Sequence, residues 1–192
     1  MSTKAIIPID MTNDFVKKEF QFRDGIYTGR LVAPLGKTII EPIENLIYAG
    51  SRQYIIYVED EHTPETEEIK SGKYGPHNMK GTPGAETVDE LKVTGKRVYN
   101  VKKDYYNGFT NPELDKLLKR KKIDEVYIVG LVQEVCIKEN AMGFLEHGYK
   151  VNVVVDATAP FNAYAGFRAL KEIEKKGARM INLETALKEV SE

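Results

Sequence analysis

The sequence is poor in several features that mark whole classes of protein. It has a single cysteine, which excludes an internal disulfide framework. Its 28 Lys and Arg residues are balanced by 29 Asp and Glu residues, so the basic excess typical of nucleic-acid-binding proteins is missing. No apolar run is long enough to span a bilayer, and the N-terminus has no signal-peptide pattern. We therefore expect a cytoplasmic protein with neither nucleic acid nor a membrane as its partner.

What is present is typical of a globular protein. Of the 192 residues, 42% are hydrophobic and 30% are charged, and neither a repeat nor a low-complexity linker divides them. A chain of this length can bury most of its apolar surface in one compact unit. We therefore expect a single domain over residues 1–192.

Short apolar runs rich in β-branched residues alternate with stretches of helical periodicity. Strands are predicted at Ala5–Ile9, Tyr54–Val58, Val98–Val101, Val126–Val129, Val151–Val155 and Met180–Ile181. Helices are predicted at about Lys37–Ala49, from Pro112 onwards, and at about Gln133–His147, Tyr164–Lys176 and Thr185–Val190. Apolar strands between helices indicate a three-layer α/β/α fold with a central, mainly parallel sheet. Pro8 is awkward in the first strand, because a central strand needs its N–H.

Two long segments interrupt this rhythm. Lys17–Leu35 and Glu59–Thr94 are mixed in composition and only partly periodic, so both are predicted as irregular loops. Loops of this length in a compact domain are usually functional or disordered.

Three reactive residues, Asp10, Lys103 and Cys136, follow predicted strands. Because the carboxyl ends of parallel strands lie at one edge of a sheet, we expect their side chains to converge. Cys136 also falls in the first turn of a predicted helix, where the dipole lowers the pKa of a thiol. Taken singly, each has a simpler interpretation: a carboxylate that binds a turn, a solvated lysine and a small buried thiol.

Histidine is an alternative base for the thiol, and the chain has three histidines. His147 is eleven residues after Cys136, about 16 Å along a helix at ~1.5 Å per residue, and cannot reach the thiol. It is better interpreted as a residue at a helix C-terminus, beside Gly148. Asp10 and Lys103 are therefore preferred to a Cys–His pair.

The other two histidines fall near a carboxylate. Asp60 and His62 are two residues apart at the end of the second strand, so they point the same way in an extended segment. His77, in the loop Gly75–Asn78, is a candidate third ligand, and three protein ligands with open positions are typical of catalytic zinc. The alternative interpretation is that these are ordinary solvated groups of a polar loop.

Three motifs, taken in order, resemble those of the isochorismatase-like cysteine hydrolases. They are Ile9–Phe15 (IDMTNDF), Lys103–Phe109 (KDYYNGF) and Gly130–Ile137 (GLVQEVCI). The resemblance implies a catalytic triad of Asp10, Lys103 and Cys136. It also implies a non-proline cis peptide at Leu131–Val132, with the N–H groups of Val132 and Cys136 directed at an oxyanion. Gln133–Glu134 stands where the family often has Thr-Asp, which leaves open what braces the turn.

Further motifs resemble the nicotinamidases of that superfamily. They are Asp60–His62, Tyr74–His77 and Gly81–Glu86. The resemblance implies a divalent ion on Asp60, His62 and His77 that binds the pyridine nitrogen of the substrate, with zinc favoured and iron or manganese as alternatives. Glu65 and Glu68 are both candidates for an additional ligand.

The same resemblance places Phe15, Tyr74 and Tyr106 around the substrate ring, with Tyr74 where tryptophan is usual. The sequence therefore predicts a cysteine amidohydrolase, most simply a nicotinamidase of NAD salvage, and the family implies a homo-oligomer. Two alternatives stay open. One is a related cysteine hydrolase of an N-carbamoyl compound or another small amide, and the other is a relative that binds a ligand without turnover.

Overall fold

The computed structural model describes residues 2–23 and 25–192, over which strands and helices alternate. The strands are β1 Lys4–Ile9, β2 Glu19–Phe22, β3 Gly25–Thr28, β4 Tyr54–Asp60, β5 Val98–Lys103, β6 Glu125–Leu131, β7 Lys150–Ala159 and β8 Arg179–Ile181. The helices are α1 Asn13–Val16, α2 Ile40–Ala49, α3 Glu67–Lys70, α4 Pro112–Lys121, α5 Lys138–Glu146, α6 Ala163–Lys175 and α7 Leu183–Ser191.

Six strands form one parallel sheet in the order β5-β4-β1-β6-β7-β8. Alternate residues of a strand face opposite layers, so Ile6 of β1 packs in one core with Ile43 of α2, and Ile7 packs in the other with Leu114 of α4. Helices α2 and α7 cover one face, while α4, α5 and α6 cover the other. The predicted three-layer α/β/α fold is confirmed.

The strand order places a topological switch point between β1 and β6. After β1 the chain moves outward through β4 and β5, and it then returns to the other side of β1 with β6. In open α/β sheets, ligands bind at such a point, beyond the carboxyl ends of the strands. Asp10 follows β1 and Val132 follows β6, while Asp60 and Lys103 are the last residues of β4 and β5.

Pro8 lies in β1, in the interior of the sheet. Pro8 is paired with Val129 of β6. On the other side, Ile6 and Ile9 are paired with residues of β4, and Pro8 is not. The N–H of Asp10 donates to the Val58 carbonyl oxygen at 3.1 Å. Backbone groups two residues apart point to the same neighbouring strand, so the N–H that Pro8 lacks is one that would face β4. The sheet therefore tolerates this proline at the loss of one bond on one side.

One of the two predicted loops is wrong. Lys17–Leu35 contains the antiparallel hairpin β2–β3, in which the alternating Glu19-Phe20-Gln21-Phe22 is a strand signal. Asp24, within this segment, lies outside the described residues. Glu59–Thr94 is largely irregular, as predicted, apart from the end of β4, the single turn of α3 and two short 3₁₀ turns.

One predicted helix is only partly right. Gln133–His147 begins with a π-helical turn at Gln133–Ile137, and the α-helix α5 follows from Lys138. His147 ends α5, with its Nδ1 2.8 Å from the Gly143 carbonyl oxygen. None of the described helices is long and apolar enough to cross a membrane.

Candidate active site

The ends of the parallel strands bring a lysine, two aspartates and the cysteine together. Lys103 Nζ lies 2.9 Å from Asp10 Oδ2 and 3.8 Å from Cys136 Sγ, and it also donates to Asp60 Oδ1. A carboxylate oxygen of Asp10 lies within 4.8 Å of the Cys136 sulfur. None of the four residues is more than 6% exposed. The structure thus groups the three residues that the sequence analysis singled out, and it adds Asp60.

Asp10 is fixed by contacts with the neighbouring strand. Its φ of +52° lies in the left-handed region, which is uncommon for a residue other than glycine. Its Oδ1 accepts the Asp60 N–H at 2.8 Å, while Oδ2 accepts from Lys103. Backbone strain of this kind is found at functional sites, where the surroundings hold it in place.

Burial controls the protonation of this cluster. It raises the pKa of the Cys136 thiol well above its usual range, and the Asp10 carboxylate adds to the effect while Lys103 opposes it. Burial and the Asp60 carboxylate raise the pKa of Asp10 to about 6. Burial opposes the charge on Lys103, but Asp10 and Asp60 outweigh it and raise the pKa of the ammonium. The expected lowering of the Cys136 pKa is therefore wrong, and the resting group is a thiol whose proton a base must remove.

The turn after β6 carries Val132 and Cys136, whose N–H groups the family resemblance assigns to an oxyanion site. The Leu131–Val132 peptide bond is cis. Val132 directly precedes the π-helical turn and Cys136 lies within it, so both N–H groups belong to one short stretch of backbone. Gly130, with φ +111°, allows β6 to approach β1 here, because a Cβ at this position would come within 2.1 Å of the Ile9 carbonyl oxygen.

Gln133 and Glu134 brace this turn against the next strand and helix. Gln133 Nε2 donates to Thr158 Oγ1 at 2.9 Å, in β7, and Glu134 Oε1 accepts the Asn162 N–H at 2.7 Å, just before α6. Gly166 of α6 leaves room for Gln133, because a Cβ there would lie 2.5 Å from Gln133 Oε1. These two residues, in place of Thr-Asp, therefore hold the turn through contacts of their own.

A second polar cluster adjoins the first through Asp60. One potential ligand atom from each of Asp60, His62 and His77 lies within 4.8 Å of the others, and all three residues are buried. His77 Nδ1 lies 2.9 Å from the Gly75 carbonyl oxygen, which fixes Nε2 as the ring nitrogen with a free lone pair. Within the described residues, both His62 ring nitrogens and His77 Nε2 are buried without a hydrogen-bond partner. Such nitrogens beside carboxylates fit a divalent cation.

Of the two candidate glutamates, Glu68 faces this cluster. Its Oε1 lies 3.6 Å from His77 Nε2, and the residue is 6% exposed, whereas Glu65 is exposed. Burial and the Asp60 carboxylate raise the pKa of Glu68 to about 7. The sequence did not distinguish the two, because the spacing of an irregular loop does not reveal which side chain turns inward.

One narrow pocket touches both clusters. Its lining comprises Asp60, Glu68, Val132 and Cys136, the expected aromatic residues Phe15, Tyr74 and Tyr106, and three residues that sequence reasoning missed, Leu31, Val135 and Phe161. Its free volume is about 30 Å³, room for about two water molecules. A larger groove of about 850 Å³ runs along the β2–β3 hairpin, and none of the residues that line the narrow pocket borders it.

The isochorismatase domain model matches residues 4–185 of the chain. The chain belongs to the isochorismatase family. The nicotinamidase of Saccharomyces cerevisiae is 28% identical to it over 201 residues, which cover 83% of this chain and 89% of that protein. This isochorismatase-family protein is a hydrolase of amide carbon–nitrogen bonds.

Two solved structures extend the comparison of this isochorismatase-family hydrolase. The pyrazinamidase of Pyrococcus horikoshii, in complex with zinc, is 26% identical with a TM-score of 0.81, over 94% of this chain and 99% of that chain. The N-carbamoylsarcosine amidase of Thermoplasma acidophilum is 28% identical with a TM-score of 0.79, over 96% and 98%. Both structures match the fold over nearly its whole length.

Asn140, which sequence reasoning missed, joins the cysteine turn of this hydrolase to the pocket wall. Its side chain is fully buried, and its Nδ2 donates to the carbonyl oxygens of Cys136 and Tyr106, each at 2.8 Å. Its Oδ1 accepts the Gly108 N–H at 2.8 Å. The sequence signal is the spacing of four from Cys136, which puts both residues on one face of a helix.

Replacing Asn140 with alanine should therefore affect both stability and catalysis. We expect the free energy of unfolding to fall by about 3 kcal/mol, since the Gly108 N–H is left buried without an acceptor. We expect kcat/KM for the amide substrate to fall roughly 10-fold or more, because the thiol and the Tyr106 wall lose their common anchor. Urea unfolding and steady-state kinetics measure the two effects.

Asn152→Ala is the matched control, because the buried Asn152 also makes three side-chain hydrogen bonds, at the opposite edge of the sheet. It should lower stability without changing kcat/KM. Equal kinetic losses in the two variants would contradict the role given to Asn140.

Proposed function

We propose that this amide hydrolase converts nicotinamide and water into nicotinate and ammonia, as in NAD salvage, through a thioester on Cys136. The observation that carries the proposal is the shared pocket, which Cys136 borders together with Asp60 and Glu68. A thiol that attacks a carboxamide and a cation that binds a ring nitrogen must reach one small substrate at the same time. The rings of Tyr74 and Tyr106 supply apolar faces for a flat heteroaromatic ring.

In the proposed reaction, Asp10 is the base and Cys136 is the nucleophile. Asp10 takes the thiol proton as the sulfur attacks the carbonyl carbon, and the Lys103 ammonium, 3.8 Å from the sulfur, stabilises the developing thiolate. The N–H groups of Val132 and Cys136 hold the oxyanion, each contributing ~3 kcal/mol. Asp10 returns the proton to the departing nitrogen, and ammonia leaves. Asp10 then accepts a proton from the water that attacks the thioester, the carbon–sulfur bond breaks to release nicotinate, and the Cys136 thiol is reprotonated through Asp10.

The second cluster would hold a divalent ion through Asp60, His62 and His77, with Glu68 as a further ligand. Bound there, the ion would act as a Lewis acid that orients the substrate by its ring nitrogen. Imidazole and carboxylate ligands suit zinc and also iron. We favour zinc, since the pyrazinamidase of Pyrococcus horikoshii was solved in complex with it, and iron and manganese are the alternatives.

Asp60 belongs to both clusters in this scheme. Its Oδ1 accepts a hydrogen bond from Lys103, while its Oδ2 lies 3.6 Å from His62 Nε2. The carboxylate would thereby link a bound ion to the Lys103 ammonium.

Purified protein should release ammonia from nicotinamide, lose this activity on chelation and regain it with zinc. The reason is that the ring is oriented only when its nitrogen has a ligand. A His77→Ala variant, which keeps Asp10, Lys103 and Cys136, is the control and should stay nearly inactive after zinc is restored. Absence of ammonia release from nicotinamide by zinc-loaded wild-type protein would refute the proposed substrate.

The likeness to the N-carbamoylsarcosine amidase favours a second candidate, the hydrolysis of an N-carbamoyl compound. It uses the same three residues but needs no cation for a ring nitrogen. Ammonia release from N-carbamoyl amino acids that survives chelation, together with inactivity towards nicotinamide, would select it. A ligand-binding relative without turnover would show neither activity. The homo-oligomer implied by the resemblance and the cytoplasmic location expected from the sequence stay predictions.

A further inference from the structure

Asn78 controls the backbone of both histidines in the second cluster. It directly follows His77, and its φ of +44° lies in the left-handed region. Its carbonyl oxygen accepts the His62 N–H at 2.9 Å, and the Lys80 N–H returns to the His62 carbonyl oxygen at 2.8 Å. A shift of Asn78 would therefore move His77 through the peptide bond that joins them, and His62 through the backbone hydrogen bonds between the two segments.

The Asp14 carboxylate holds Asn78 in this conformation. Asp14 is 1% exposed, and its Oδ2 accepts the Asn78 N–H at 2.7 Å while its Oδ1 accepts the Arg30 N–H at 3.1 Å. Thr12 adds a second contact, since its Oγ1 donates to Asn78 Oδ1 at 2.9 Å. Gly84 packs directly on the carboxylate, because a Cβ there would lie 2.2 Å from Asp14 Oδ2.

Nothing in the proposed reaction uses Asp14, although it is buried and ionisable. A carboxylate that accepts a backbone N–H forms a charge-assisted bond, which is about twice as strong as a neutral one. Such a bond can hold a non-glycine residue in the left-handed region, at a conformational cost of about 1–3 kcal/mol. The hydrogen bond that Asp14 accepts from the Asn78 N–H therefore offsets the conformational cost at Asn78.

We propose that Asp14 is a positioning residue for the metal site, which acts through the Asn78 N–H to hold His62 and His77 with their free nitrogens facing one point. The inference rests on metal binding in the proposed function. Asp14 Oδ1 also accepts the Arg30 N–H, and this bond ties the same carboxylate to the segment that brings Leu31 to the pocket. Asp14 thus supports both the metal site and one wall of the pocket.

The test is the zinc affinity of Asp14→Asn protein, measured by competition with a chromophoric chelator. The amide keeps the size of the carboxylate but offers one acceptor in place of two, so one of the two N–H bonds is lost. We expect zinc binding to weaken by roughly 10–100-fold, as is typical when a residue that orients the metal ligands through hydrogen bonds is removed. Asp156→Asn is the matched control: Asp156 Oδ2 accepts the Leu183 N–H at 2.8 Å, at the start of α7. It should leave zinc affinity unchanged whatever it does to Tm.

A second variant covers the case in which Asp14→Asn does not fold. Thr12→Val keeps Asp14 and removes only the hydroxyl bond to Asn78, and we expect zinc affinity to fall severalfold. Unchanged zinc affinity in a folded Asp14→Asn protein, or in Thr12→Val protein when Asp14→Asn does not fold, would overturn the inference and leave the metal site standing. Wild-type protein that takes up no zinc would overturn both the inference and the metal-dependent function.

Discussion

Cys136→Ala protein should hydrolyse nicotinamide with a kcat at least about 10⁴-fold below that of the wild type. In the proposed scheme the sulfur forms the bond that splits the reaction into two easier steps, and Cys136 is the only cysteine in the sequence. Alanine fits the buried site, since it removes only the sulfur. Steady-state ammonia release over a range of nicotinamide concentrations measures the loss.

The control for Cys136→Ala is zinc binding. The cysteine is not among the residues that we assign to the ion, so the variant should bind zinc with the wild-type affinity. Loss of activity together with loss of zinc would indicate a disturbed site rather than a missing nucleophile. Full amidase activity in Cys136→Ala protein would disprove the covalent mechanism.

Lys103→Met protein should lose both stability and activity. Lys103 is 2% exposed and bonds to the buried carboxylates of Asp10 and Asp60. Removing one partner of a buried ion pair costs about 3–5 kcal/mol, because the other charge is left uncompensated. We also expect kcat to fall by at least about 10³-fold, since the thiolate loses its counter-charge and Asp10 loses its anchor. Urea unfolding and ammonia release check the two parts.

Lys102→Met is the matched variant on the same strand. Lys102 is partly exposed and pairs with the buried Glu59 at 3.1 Å, so its loss should also lower the free energy of unfolding, though by less. Its activity per folded molecule should stay near that of the wild type. Wild-type kcat in a folded Lys103→Met protein would refute the role of the ammonium.

The sequence predicted most of the fold and the location of the site, for a simple physical reason. Apolar strands between helices indicate a parallel sheet, and the carboxyl ends of parallel strands meet at one edge. Asp10, Lys103 and Cys136 could therefore be placed near one another from strand ends alone. The spacing of Asp60 and His62 at the end of a strand indicated a metal site, and the family motifs then supported it.

What the sequence did not predict depends on contacts between distant segments. The pKa of Cys136 is raised because the folded chain buries the thiol beside Asp10, which a helix position does not show. Leu31 and Phe161 reach the pocket from separate parts of the chain. The inward turn of Glu68 and the hold of Asp14 on Asn78 are likewise visible only once the chain is folded.

A single-turnover experiment tests the covalent claim most directly. Zinc-loaded enzyme in excess is mixed with nicotinamide labelled in the ring, quenched in acid at successive times, and examined for label bound to protein. The account predicts that label appears on the peptide containing Cys136 before free nicotinate forms, and that ammonia is released together with this bound label. Ammonia and nicotinate that appear in step, with no label on the protein at any time, would contradict it.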